Sequence, residues 1–278
     1  SDPEFENDDD SQEEIIEVPE NIIKALPEDK SLVISEDVFP NSLLIVPLYD
    51  RPLFPKMLLP VIISDENLEK VLLEELKGPL RYVGLVYSYE PLGTGPKSDA
   101  NIPDKLAQIG VVGRIVQASK HGNDPMHIIV QVLERFEILE IISEDPVYKA
   151  NVEYLRDPGG EKSEDELKAF SVSIINQIKE LVQLNPLFKE ELGLLMGRIN
   201  LKDPATLADF AASMTTASGK ELQEILETKS IKKRIEKALN LLRHELEVAK
   251  LQVKISQRVE DRMSQQQREF FLREQLKE

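Results

Sequence analysis

Cysteine is absent from the 278 residues and histidine is scarce, with three in all. The first absence excludes disulfides, zinc–thiolate sites and a cysteine nucleophile. The second leaves only His121, His127 and His244 as imidazole ligands, too few and too scattered for a histidine-based metal site. Tryptophan is missing and aromatics make up 5% of the chain. No run of 18 apolar residues occurs, so the sequence holds no membrane-spanning helix. The opening Ser1-Asp2-Pro3-Glu4-Phe5 has neither a basic n-region nor an apolar core, which excludes a signal peptide; it reads as a cloning scar. Basic residues are in deficit, 34 against 51 acidic, for a net charge of −17. That balance disfavours nucleic acid as a partner, because phosphate is repelled.

The charge is unevenly placed. Residues 1–40 carry a net −12, residues 41–219 a net −8, and residues 220–278 a net +3. The stretch Glu6–Glu14 is too charged to bury a core and predicts a disordered acidic extension over 1–40. Within it, Ile15, Ile16, Val18, Ile22 and Ile23 offer weak docking contacts.

From 41 to 157 the pattern is β-rich. Ser42–Val46, Leu59–Ile63, Tyr82–Tyr87, Gln108–Gln117, His127–Leu133 and Glu137–Ile142 are β-branched runs bounded by Pro, Gly or Asp. The cluster His121-Gly122-Asn123-Asp124-Pro125 predicts a turn and makes 108–117 and 127–133 a hairpin. Leu68, Val71, Leu72 and Leu76 recur at helical spacing behind Asp65, a good N-cap. Six or so strands and one helix predict a small, mostly antiparallel barrel or folded sheet.

At Asp157-Pro158-Gly159-Gly160 the period changes to that of helices, and a helical subdomain is expected over 158–229. Ser163 and Glu166 fit a capping box ahead of a helix to Leu184, which Asn185-Pro186 ends. A segment Leu187–Met196 follows. Asp203-Pro204 supplies an N-cap with proline in the first turn, and Ser218 with Glu221 a second capping box. Residues 220–278 contain neither Gly nor Pro. A break is expected at Thr228–Ser230, then a long helix over 230–278. Ile235, Leu239, Leu242, Leu246, Ala249 and Val253 form a heptad-type seam that fails at Ser256 and Glu260. A second stripe, Val248, Leu251, Ile255 and Val259, widens the apolar face and is expected to pack on the preceding helices. Phe270 and Phe271 stand near the end. The helical pattern runs to the last residue, as expected of a fragment of a longer polypeptide.

Motifs for chemistry are scarce. Gly93-Thr94-Gly95-Pro96-Lys97-Ser98 lacks the Gly-Lys pair and the following helix of a phosphate loop. There is no G-x-S-x-G, H-E-x-x-H or S-x-x-K. The residues by themselves describe an interaction module. One segment stands out: Pro47–Pro60 holds four prolines that limit its backbone freedom. Two readings compete for it. Either it is a core-plugging connection between strands, or Leu53, Phe54 and Met57 are partly exposed and bind apolar peptide stretches.

That segment also carries a resemblance. LLIVPLYDRPLFPKMLLPVII (43–63) resembles the opening strand–loop–strand of the N-terminal domain of Lon, the ATP-dependent serine proteases. AQIGVVGRIVQ (107–117) with IIVQVLERFEILEI (128–141) is similar to that domain's hairpin. INLKDPATLADFAA (199–212) resembles its helical subdomain, and SQQQREFFLREQLKE (264–278) the coiled-coil segment leading to the ATPase module. The matches run in order from about 42 to 278. The resemblance implies an α+β fold: a β-rich, PUA-like barrel, a helical bundle and a very long coiled-coil-type helix. It implies capture of unfolded or degron-bearing substrates and support of hexamer assembly, with Leu239, Leu242, Leu246, Val253, Phe270 and Phe271 serving helix packing and assembly. It also implies that ATP, Mg and the Ser-Lys dyad belong to domains outside these residues, so that this stretch needs no cofactor and is not catalytic. The lack of cysteine and of a targeting signal fits a bacterial cytoplasm. The alternative is a stand-alone ligand-binding or oligomerisation module with a helical appendage.

Overall fold

A computed structural model describes residues 14–16, 39–78, 81–91, 105–120, 122, 124–144, 147–156, 164–184 and 203–275. The expected helical segment 187–196, the Ser163 cap and the loop 92–104 lie outside them. The chain divides into two compact units, Ser1–Arg156 and Asp157–Glu278.

The first unit is built from β1 (Glu14–Ile16), β2 (Ser42–Leu48), β3 (Leu58–Ile63), helix α1 (Glu66–Glu75), β4 (Tyr82–Tyr87), β5 (Ile109–Lys120), β6 (Met126–Ser143) and β7 (Lys149–Leu155). Neighbouring strands run β1-β5-β4-β2-β7-β6-β3, and β5 also pairs with β6. That last pairing closes β5-β4-β2-β7-β6 into a ring, so the expected barrel is present. β3 lies outside the ring on the first half of β6, from Leu58↔Gln131 to Ile63↔Met126. All pairs are antiparallel except β2–β4, where Leu44↔Val83 to Leu48↔Tyr87 run parallel. The intervening β3 and α1 form the crossover that a parallel pair requires.

Bulges let the two longest strands coil around so small a ring. Register shifts interrupt β5–β6 at Val111/Gly113 and Ile115/Gln117, and β6–β7 at Ile138/Glu140 and Ile141/Ser143. Leu43, Ile45, Val86, Val112, Phe136, Ala150 and Val152 meet in the core. Phe136 is fully buried and sits over two glycines. A Cβ on Gly84 would lie 3.0 Å from its Cζ, and one on Gly110 2.8 Å from it. Glycine is needed there for space, because the ring occupies the volume a side chain would take.

The mouth of the barrel is tied to the chain's entry. Phe39 packs edge-on against Tyr82 at 5.6 Å and in a tilted arrangement against Tyr154 at 5.0 Å between ring centroids. The Tyr154 hydroxyl donates to the Pro40 carbonyl at 2.6 Å. Burial first, and Tyr82 second, push the Tyr154 phenol up to about 12. At the start of α1, Asp65 caps as expected, accepting from the N–H of Asn67 (2.8 Å) and Leu68 (2.9 Å).

The second unit contains α2 (Glu164–Leu184), α3 (Pro204–Ser213), α4 (Gly219–Leu226) and α5 (Ile231–Gln275). Both expected caps form: Asp203 accepts from Ala205 and Thr206 N–H, and Ser218 with Glu221 makes a reciprocal capping box. The Ser218 hydroxyl and backbone N–H hold the Glu221 carboxyl below its ordinary range. α5 packs mainly on α2 and α3. Ile174 and Leu181 of α2, Leu207 and Phe210 of α3, and Leu222 and Ile225 of α4 close the core with Ile235, Leu239 and Leu242 of α5.

Two buried polar knots fix α5 in this unit. The Arg234 guanidinium is almost fully buried beside Asp209, with Nε 3.9 Å from Oδ1. The same Nε donates to the Thr228 carbonyl at 3.1 Å, satisfying the connection after α4. One turn before burial on α5 ends, Glu245 Oε2 accepts from both the N–H and the hydroxyl of Thr216, each at 2.8 Å. Buried charges survive only with such partners.

Candidate binding surfaces

The proline-rich connection between β2 and β3 folds inward. Phe54 is 1% exposed and Met57 5%, while Leu53 is half-buried. The expected partial exposure of Phe54 and Met57 is thereby overturned, and the core-plugging reading of the segment describes them. The cause is a backbone reversal at Lys56, which has φ +66°. Lys56 N–H donates to the Val132 carbonyl at 2.9 Å, and Val132 N–H to the Met57 carbonyl at 2.8 Å. The loop is thus stitched to β6, and its apolar side chains have the core as their nearest solvent-free volume. Lys56 itself points out and pairs with Glu134 at 2.8 Å.

Other apolar groups do reach solvent. Tyr49 is 50% exposed and Tyr89 39% exposed. The parallel register Leu48↔Tyr87 brings both to the same end of the barrel, the end from which the Leu53 loop departs. Tyr89 packs edge-on against Tyr87 at 5.2 Å. No sequence signal marked the two tyrosines. Tyr49 follows β2 directly and Tyr89 lies two residues past the end of β4, and that position just beyond a buried strand is the cue that could have found them. A second pair, Leu139 and Ile142, is exposed on the bulged half of β6.

On α5 the seam divides. Leu239, Leu242, Leu246 and Ala249 are buried within their own helical unit. Val253 is half-buried, and the described side chains beyond it on α5 are all exposed. Leu251, Ile255 and Val259 are all more than half exposed, contrary to the expected packing of this stripe on the preceding helices. Among the described residues, the supporting helices bury nothing on α5 beyond Ala249. Met263 and Phe270 continue the exposed stripe at helical spacing. The Phe271 side chain lies outside the described residues.

Among the described residues, no three His, Asp or Glu side chains converge as metal ligands, and no helix is long and apolar enough to cross a membrane. The shifted titratable groups serve structure. Glu221 is a helix cap. Tyr148, raised by burial first and then by Glu144, flanks β7, and Tyr154 closes the barrel mouth.

A closed barrel with exposed apolar groups at one end and a helical unit with an exposed apolar stripe offer two candidate binding surfaces. The chain's family follows from comparison with known proteins. Residues 42–244 match the family model of the ATP-dependent protease La (LON) substrate-binding domain, and the chain belongs to that family. Lon protease 1 of Syntrophotalea carbinolica is 40% identical over 282 residues, covering 96% of this chain and 34% of that protein. Lon protease of Chlamydia pneumoniae is 39% identical, covering 93% of this chain and 31% of that protein. The chain thus spans about a third of the length of these curated relatives. Among solved structures, the N-terminal domain of a Mycobacterium avium complex Lon protease matches with a TM-score of 0.53 at 17% identity, covering 72% of this chain and 97% of that one. A Lon N-terminal domain protein from Xanthomonas campestris matches with a TM-score of 0.50 at 13% identity over the same shares. At these identities the likeness is one of fold.

Proposed function

We propose that the chain is the client-recognition and assembly region of an ATP-dependent Lon-type protease working in a bacterial cytoplasm. The observation that carries this reading is the family match over 42–244. ATP and Mg binding by an AAA+ module, peptide cleavage by a Ser-Lys dyad and hexamer formation then belong to the whole protein. The chain's own part is capture of unfolded or degron-bearing protein. Client contact centres on the barrel end that carries Tyr49, Tyr89 and the half-buried Leu53; Phe54 and Met57 act from beneath by holding the loop in place. Exposed aromatics with a polar tip suit this task, since they grip many sequences modestly. Several copies in one assembly then multiply weak grips into avidity.

For assembly, Leu239, Leu242 and Leu246 hold α5 on its own unit, and Val253, Phe270 and Phe271 on the outer half meet second copies. The capture reading is tested by fluorescence anisotropy with reduced, carboxymethylated α-lactalbumin against its native form. Tighter binding of the unfolded form, weakened about fivefold by Tyr49→Ser with Tyr89→Ser at an unchanged unfolding midpoint, is expected. Equal binding of the folded and unfolded forms would refute capture.

A further inference from the structure

The acidic arm does one thing its composition does not announce. Glu14–Ile16 forms β1 and pairs antiparallel with the end of β5, in the register Glu14↔Lys120, Ile15↔Ser119, Ile16↔Ala118. The seat exists because β5 outruns its neighbour. β4 pairs with β5 only from Val111 to Arg114, and the last bond on that side runs from Ile115 N–H to the Arg81 carbonyl. Beyond it, residues 116–120 of β5 keep β6 on one side, and on the other, among the described residues, only β1. An edge of unpaired backbone groups accepts any extended segment whose side chains fit.

The occupant is short and comes from a segment unsuited to staying. β1 has three residues, one neighbour and a surrounding 40-residue stretch of net charge −12. Its advantage is that it belongs to the same chain as the edge, which makes its docking intramolecular. The register sets an acidic residue opposite Lys120, whose ammonium also pairs with Glu69 of α1, and two β-branched residues opposite Ser119 and Ala118.

We propose that this edge of β5 is a strand-docking site for extended client segments in which an acidic residue precedes two β-branched apolar ones, and that the arm is its exchangeable occupant in cis. The proposal rests on the capture reading and names the chemistry of one class of client. The arm keeps the edge covered until a client segment displaces it, which also protects an open edge from joining another copy.

The test uses the full 278-residue chain and an Ile15→Pro/Ile16→Pro variant, in which proline removes the backbone N–H at both positions and with it the donor that β1 offers to β5. The probe is a fluorescein-labelled peptide of residues 11–20. We expect the variant to bind it about tenfold more tightly, because the tethered competitor is gone. Hydrogen exchange at amides 116–120 should quicken in the variant and slow again under saturating probe. Equal probe affinity in the two chains, or exchange at 116–120 indifferent to the substitution, would overturn the proposal. Reduced, carboxymethylated α-lactalbumin separates the two readings. Tighter binding to the variant supports the edge as a client site. Equal binding to both chains overturns that role and leaves capture standing. Binding to neither overturns capture, while the peptide and exchange data still decide whether the arm gates the edge.

Discussion

Phe54→Ala decides whether the proline-rich loop is a structural plug or a client anchor. The side chain is 1% exposed beneath a loop bonded to β6 through Lys56, Met57 and Val132. Removing a buried phenyl ring in such a setting costs about 3–5 kcal/mol, from lost transfer energy and the cavity left behind. Against a domain stability of about 5–15 kcal/mol, that is a large share. With a urea m-value of about 2 kcal/mol/M, the midpoint should fall by roughly 2 M. Phe54→Leu, which keeps most of the volume, should cost only about 1 kcal/mol. All six tyrosines (Tyr49, Tyr82, Tyr87, Tyr89, Tyr148 and Tyr154) lie in the barrel unit. Tyrosine fluorescence therefore follows the barrel alone, while ellipticity at 222 nm is dominated by the helical unit. The early loss should appear in the fluorescence-detected transition. A variant with an unmoved tyrosine transition and impaired client binding would refute the plug and restore the anchor.

Other outcomes follow from the same packing. Gly110→Ala would press a methyl against Phe136 Cζ and the Leu85 carbonyl, both at 2.8 Å, and should destabilise the barrel by about 1–3 kcal/mol in the fluorescence-detected melt. Phe136→Leu should recover only part of this, since the Leu85 carbonyl cannot retreat. Glu245→Ala removes the carboxylate that accepts from both the N–H and the hydroxyl of Thr216 and should lower helical stability by about 1–3 kcal/mol, read at 222 nm in urea. Glu221, held low by Ser218, contributes stability that is present above its ordinary range and lost as pH falls through its depressed value. An NMR titration should place it below the ordinary glutamate range, and Ser218→Ala should return it upward.

Local signals were the legible part of the sequence. Asp65, Asp203-Pro204 and Ser218 with Glu221 announced three helix starts, because capping depends on a few residues in a row. The break at Thr228–Ser230 and the hairpin turn after Lys120 were visible for the same reason. Strand continuity was less visible. His127–Leu133 and Glu137–Ile142 read as two strands, yet β6 runs unbroken from Met126 to Ser143. Its bulges shift which side chains face inward, so the alternation breaks while the backbone does not. β7 was missed, because Lys149, Asn151 and Glu153 have weak strand propensity. Its place is set by the ring around Ala150 and Val152. The parallel β2–β4 pair, the burial of Phe54 and the exposure of Leu251 and Ile255 depend on residues distant in sequence. No local pattern carries that information. The seat of Ile15 and Ile16 on β5 was foreshadowed only as a weak docking contact.

The end of burial on α5 at Ala249 has a mechanical consequence. Residues 231–249 are held by the bundle, while residues 250–275 continue as the same hydrogen-bonded rod. At 1.5 Å per residue the held part is about 28 Å long and the projecting part about 39 Å. A tilt of about 5° at the root carries the far end some 3 Å sideways, and a push at the far end returns to the root as torque. Arg234 and Glu245 sit near the two ends of the held part, as two bolts through a bracket would. Whatever grasps the outer half of α5 thereby has leverage on the packing of α2 and α3.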